Sequence, residues 1–159
     1  MNQLEFCILV KQIVENARNL KDLHTTEKNA LVNYACIFCQ SDNEFESFLE
    51  LAGKMGEVVK TTPKGPLFKI SPIKTAAGPL QILKIRAPDK TRLERGDADF
   101  TVADYNVFKA SVLGRQFFKL IEKKDFEMIE LFDPNSKLNV RAYFSNPTQE
   151  ELILGKNVR

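Results

Sequence analysis

The chain has 159 residues, 43% of them apolar, 28% charged and 9% aromatic, with 23 basic against 21 acidic side chains. A chain of this length buries roughly two-thirds of its unfolded surface in one globular domain, so neither disulfides nor a structural metal are needed to close a core. No apolar run approaches the ~20 residues that cross a bilayer, and no basic and apolar leader opens the sequence. Three cysteines, an odd number, fit a reducing compartment, so a cytoplasmic protein without membrane contact is expected. A single histidine argues against His-rich zinc sites and two-histidine proton relays.

In chain order, Leu4 to about Leu20 places Cys7, Val10, Val14 and Ala17 on one helical stripe and Phe6, Ile13 and Leu20 on its neighbour, which predicts an amphipathic helix. After a polar break through Asp22, His24, Thr25 and Thr26, Val32 to Cys39 reads as a buried strand. Ser41 followed by Glu44 starts a second helix with Phe45, Phe48, Leu49, Ala52 and Met55 on one face. Three strands are predicted next, Glu57 to Thr61, Leu67 to Ile73 and Leu80 to Arg86, separated by Pro63-Lys64-Gly65-Pro66 and Ala77-Gly78-Pro79.

The pattern then repeats. Ala98 to Val102 is strand-like, Asp104 caps a helix carrying Tyr105, Phe108 and Val112, and Gly114 stops it. Phe117 to Glu122, Glu127 to Phe132 and Leu138 to Phe144 follow as strands, with a turn at Asp133-Pro134-Asn135-Ser136. A βαβββ unit therefore occurs twice, which predicts an α+β fold of two modules sharing a cupped cavity. The expected divisions of this single domain are an N-terminal helix and linker (1–31), a first module (32–95), a second module (96–145) and a C-terminal tail (146–159).

The duplicated order resembles the vicinal oxygen chelate superfamily of glyoxalases, bleomycin-resistance proteins and extradiol dioxygenases. The resemblance rests on Gly96-Asp97-Ala98-Asp99-Phe100-Thr101-Val102-Ala103-Asp104-Tyr105 and on Leu131-Phe132-Asp133-Pro134-Asn135. The extra N-terminal helix and the passage from Leu83 to Pro88 are similar to a bacterial metal-binding branch of that fold. The resemblance implies a metal ligand on the first and last strand of each module, and the matching positions here are Tyr34, Lys84, Asp99 and Arg141. Two cations, one carboxylate and one phenol are a poor set for a divalent metal, so no metal and no cofactor are expected. A one-residue slip would bring Asn33 or Asp97 to the cup instead and supplies no better ligand.

The same four residues suit a small anionic or zwitterionic ligand, or else an internal ion pair standing where a metal is lost. A small-molecule-binding protein without catalysis is the first reading, and a metal-dependent glyoxalase or dioxygenase is the competing one. Residues 60–95 hold most of a basic stretch and give a third reading, nucleic-acid binding, although a pI near 8.4 is low for such a domain. Pairing into homodimers, with the exposed face of the first helix as one route, is implied by the resemblance alone.

Cys36 and Cys39 have C-x-x-C spacing, but on a strand residues three apart face opposite ways, which favours burial over zinc or redox use. His24 reads as a residue at a helix end rather than a proton shuttle. Asp97, Asp99 and Asp104 read as a polar strand start leading into a helix cap.

Overall fold

The computed structural model describes residues 1–155. Helix α1 (Gln3–His24) begins where the Asn2 side chain accepts from the Glu5 backbone while the Glu5 carboxylate accepts from the Asn2 backbone. Its stripe of Phe6, Val10, Ile13, Val14, Ala17 and Leu20 is fully buried. The first module follows as β1 (Leu31–Phe38), α2 (Asp42–Met55), β2 (Gly56–Thr62), β3 (Gly65–Thr75) and β4 (Gly78–Arg86). The second comprises β5 (Gly96–Thr101), α3 (Tyr105–Val112), β6 (Phe118–Glu122), β7 (Glu127–Leu131) and β8 (Val140–Asn146), and a short α4 (Gln149–Leu154) completes the described chain.

All eight strands form one sheet in the order β2-β3-β4-β1-β5-β8-β7-β6. Within each module the first strand runs parallel to the last, β1 with β4 and β5 with β8, and the other pairs are antiparallel. The modules meet at an antiparallel β1–β5 pair in the middle. Period-two alternation then sorts the side chains. Ala35, Ile37, Leu83, Ile85, Ala98, Phe100, Ala142 and Phe144 join the core beneath the helices, whose Phe6 and Phe48 rings lie 5.3 Å apart and whose Phe108 ring lies 4.5 Å from Phe144. Tyr34, Cys36, Lys84, Arg86, Asp97, Asp99, Arg141 and Tyr143 alternate with these residues along the four central strands, toward the opposite, concave face.

Several boundaries differ from the sequence expectation for identifiable reasons. Strand β5 begins at Gly96 rather than Ala98, because a Cβ at Gly96 would lie 2.2 Å from the Cys36 carbonyl oxygen and 3.1 Å from the Ile13 side chain. Strand β3 runs on to Thr75, and its pairing with β4 is interrupted between Lys69 and Ile73, where Pro72 has no N–H to give. Strand β8 starts at Val140 because Asn139 adopts a positive φ of 60°. The expected C-terminal tail contains α4, capped by the Thr148 side chain accepting from the Glu151 backbone, a signal present in the sequence and passed over. Glu44 bonds the backbone N–H of Gln40 rather than that of Ser41, so the capping is reciprocal only in a displaced form.

No helix among the described residues is long and apolar enough to cross a membrane. Helix α1 instead covers the convex side of the sheet, and its two faces differ in what they contribute. Ile13→Ala, at a side chain 2% exposed, is expected to lower stability by about 2–5 kcal/mol, whereas Ile8→Ala, at 53% exposed, should change it by less than about 0.5 kcal/mol. Urea denaturation of both variants measures the difference.

Candidate functional site

The concave face encloses a cavity of about 300 Å³. Its floor comes from the four central strands: Tyr34 from β1, Lys84 and Arg86 from β4, Asp97 and Asp99 from β5, and Tyr143 from β8. Its rim comes from outlying turns, with Lys64 in the β2–β3 turn, Arg92 in the link between modules, and Lys123, Phe126 and Met128 around the β6–β7 turn. Gln149 of α4 closes one side and donates to the Ser145 hydroxyl at 3.1 Å.

The two carboxyl groups of the floor have different surroundings. Asp99 accepts from the Ser145 hydroxyl and backbone N–H and from the Asn33 amide at 3.0 Å. Asn33 reaches it because the β1–β5 register shifts between Val32 and Tyr34, a bulge that brings Asn33 and Tyr34 together opposite Asp99. Burial pushes the Asp99 carboxyl up to about 6, against the downward pull of these hydrogen bonds. Asp97 has no such support. It takes part in no hydrogen bond or ion pair among the described residues, and its Oδ1 is sealed from solvent without a partner. Burial, and next the neighbouring Asp99 charge, push Asp97 up to about 7, although Lys84, Arg86 and Arg92 pull the other way.

The cations are also sorted. Arg86 pairs with Asp89 at 2.9 Å, and Arg92 approaches Glu130 at 3.9 Å. Lys64, Lys84 and Lys123 have no ion-pair partner among the described residues. Burial lowers the Lys84 ammonium from its ordinary value, so this half-buried cation is held at a cost that an anion would relieve.

Of the four residues singled out from the sequence, Tyr34, Lys84 and Asp99 line this cavity together. Arg141 shares their face but does not line the cavity. Its guanidinium gives two hydrogen bonds to Glu94, at 2.7 and 3.0 Å, and one to Glu130 at 3.2 Å, and it stacks 4.0 Å from the centre of the Phe132 ring. The Tyr143 hydroxyl donates to the same Glu130 at 2.6 Å. Asp97 belongs to the floor without any register slip, since residues two apart on one strand share a face. Asp97 and Asp99 are thus buried cup residues rather than a polar strand start, while Asp104 does cap α3 through the Val107 N–H.

Other candidates lie elsewhere. His24 ends α1, pairs with Asp133 at 2.9 Å and packs edge-on against Phe117, so it ties the helix to the turn before β8. Cys36 and Cys39 are free and buried, and burial pushes the Cys39 thiol up to about 12. The basic stretch is divided: Lys60, Lys69 and Lys74 are exposed, Lys84 and Arg86 face the cup, and Arg95 pairs with Glu44 at 2.6 Å. Phe68, beside Lys69 in sequence, and Tyr143, beside Arg141, are buried, at 4% and 8% exposure, and offer no stacking platform.

The two modules, each with its first strand parallel to its last, share a sheet through the β1–β5 pair, with the cup on one side and helices on the other. The chain has the paired βαβββ architecture that the resemblance to the vicinal oxygen chelate superfamily implies. A solved structural-genomics protein, EC4020, superposes with a TM-score of 0.72 over 99% of this chain and 94% of its own, at 12% identity. A glyoxalase/bleomycin resistance protein/dioxygenase superfamily member from Vibrio splendidus 12B01 gives 0.49 over 73% of this chain and 97% of its own, at 13% identity. A methylmalonyl-CoA epimerase gives 0.44 over 73% and 93%, at 16% identity. No protein-family model and no curated protein sequence matches the chain.

The residues at the metal-ligand positions of this fold do not fit a divalent cation. Lys84 and Arg141 are cations with donors only, and Asp99 is already occupied by Asn33 and Ser145. Among the described residues no group of three His, Cys, Asp or Glu side chains comes together around a possible metal position.

A carboxyl raised on folding makes the native state bind protons more tightly than the unfolded chain, so its contribution favours folding at low pH and fades as pH rises. With Asp99 near 6 and Asp97 near 7 in the folded chain, against about 4 when unfolded, the loss runs from about pH 4 to about pH 7. The melting temperature of the empty protein is expected to drop over this window by on the order of 5 °C relative to Asp97→Asn, as read by calorimetry. Parallel melting curves for the two chains would contradict it.

Proposed function

We propose that the chain binds a small anionic molecule in the cup and does so without a metal. The observation that supports this reading is the pairing pattern within one cavity: among the described residues Lys64, Lys84 and Lys123 have no acidic partners around a space of about 300 Å³, although Asp89, Glu94 and Glu130 pair with neighbouring arginines. A half-buried ammonium whose charge is disfavoured by burial gains most from a carboxylate or phosphate arriving with its own negative charge.

Lys84 takes the anion from the floor in this reading, and Tyr34 orients it with its phenol. Asp99, fixed by Asn33 and Ser145, sets the polarity of the opposite wall. Arg86 and Arg92 take the part expected of Arg141, which acts from behind by holding Glu130 against Tyr143 and Glu94 against the module link. The rim cations Lys64 and Lys123 sit on exposed turns and draw the anion toward the mouth.

Titration calorimetry with inorganic phosphate and with succinate tests the reading. At least one is expected to bind, and Lys84→Ala is expected to weaken it by roughly tenfold or more, the loss typical of a hydrogen bond to a charged group. Absence of binding by both probes, or affinities unchanged in Lys84→Ala, would contradict it.

A further inference from the structure

Asp97 is the feature of the cup that anion binding leaves unexplained. It is 8% exposed, lines the cavity, and has no hydrogen bond or ion pair among the described residues, while one of its oxygens is wholly enclosed. Buried polar groups in folded proteins are nearly always satisfied, because an unpartnered one forfeits its hydration without return. Asp99, on the same strand and the same face, obeys this rule with three hydrogen bonds. The nearest cations do not repair the deficit. Lys84 and Arg86 lie close enough to influence the carboxyl electrostatically, yet neither forms an ion pair with it.

Among the described residues the cavity therefore presents unsatisfied groups of opposite character, with the Arg86 Nε a further unpartnered donor. On β4 the Lys84 ammonium lacks an acceptor, and on the floor of β5 the Asp97 carboxyl lacks a donor. Water satisfies either group singly, but one molecule satisfies both only if it carries an acceptor and a donor on a short skeleton. We infer that the ligand is a small acid bearing a hydrogen-bond donor, a hydroxyl or an ammonium, beside its anionic group, with the anion on Lys84 and the donor on Asp97. This rests on the anion-binding reading and narrows it from any small anion to hydroxy and amino acids of that size. Arg86, held by Asp89, and Tyr34 line the same cavity, whose volume of about 300 Å³ limits the size of the ligand. A diacid without such a donor fits worse, since nothing on it satisfies Asp97.

Succinate, malate and aspartate share one four-carbon skeleton and differ at a single substituent, which makes them suitable probes for the purified full chain by titration calorimetry. Malate or aspartate is expected to bind at least about tenfold more tightly than succinate, the effect of one charge-assisted hydrogen bond. In Asp97→Leu, which keeps the forked shape and removes the acceptor, the three affinities should fall within about threefold of one another. Asp97→Asn, closer still in shape, should at least abolish any preference for aspartate, and melting curves of both variants report whether the fold is intact. Succinate binding as tightly as the other two, or a preference that survives in folded Asp97→Leu, would overturn the donor requirement and leave anion binding standing. Failure of all three to bind, with phosphate still bound, would also overturn it. Failure of phosphate as well would overturn both.

Discussion

The antiparallel pairing of β1 with β5 is the constraint on which the rest of the structure depends. In each module the first strand lies at one edge of the module's own strands beside the parallel last strand, and the two modules join through these first strands. The register places Ala35 opposite Ala98, Cys36 opposite Asp97 and Tyr34 opposite Asp99. Because alternation is strict, sending Ala98 and Phe100 into the core under α1 sends Asp97 and Asp99 to the other side. Gly96 permits the close approach of the Cys36 carbonyl that this register requires. The site is a consequence of the seam rather than an addition to it.

Charge in the cup is divided between a finished network and an unfinished one. Arg141, Glu94, Glu130, Tyr143 and Phe132 hold one another in place, and removing Arg141 would strand the buried carboxylates of Glu94 and Glu130. Such a cluster fixes geometry, and here it fixes the wall between β8 and the link from β4 to β5. Lys84 and Asp97, a few side chains away, have no partners among the described residues, and both are shifted by burial toward their neutral forms. A protein that needed only stability would pair them or replace them with apolar residues of similar volume. Leaving two opposite groups unpaired at one cavity is the signature of a space reserved for something else.

Much of this was legible in the sequence. Helix caps at Ser41 and Asp104, the apolar stripe of α1 and the turn residues around Pro63 and Ala77 located nearly every element, and the twofold βαβββ order gave the architecture. Tyr34, Lys84 and Asp99 form a group in the sequence only through the family resemblance, whose metal-ligand positions they occupy. Arg141 has the right strand and face, but its destination depends on Glu94 and Glu130, which are 47 and 11 residues distant and carry no local sign of their role. Asp97 enters the cup in the sequence reading only through a register slip, and for a different reason. A carboxylate two residues before another on a strand reads as polar surface, and only burial of both faces of β5 reveals it as floor. Gln149 and α4 were missed because a short amphipathic turn after Pro147 is hard to tell from an unstructured tail.

The most direct test is the ionisation of Asp97 itself, followed by carbon-detected NMR of its side-chain carboxyl in the empty protein across the pH range. The account predicts a midpoint near 7, at least about two units above that of an ordinary aspartate. A midpoint in the ordinary range, near about 4, would mean that Asp97 is already hydrated or paired, and would contradict a cup that holds an unsatisfied carboxyl in readiness for a ligand.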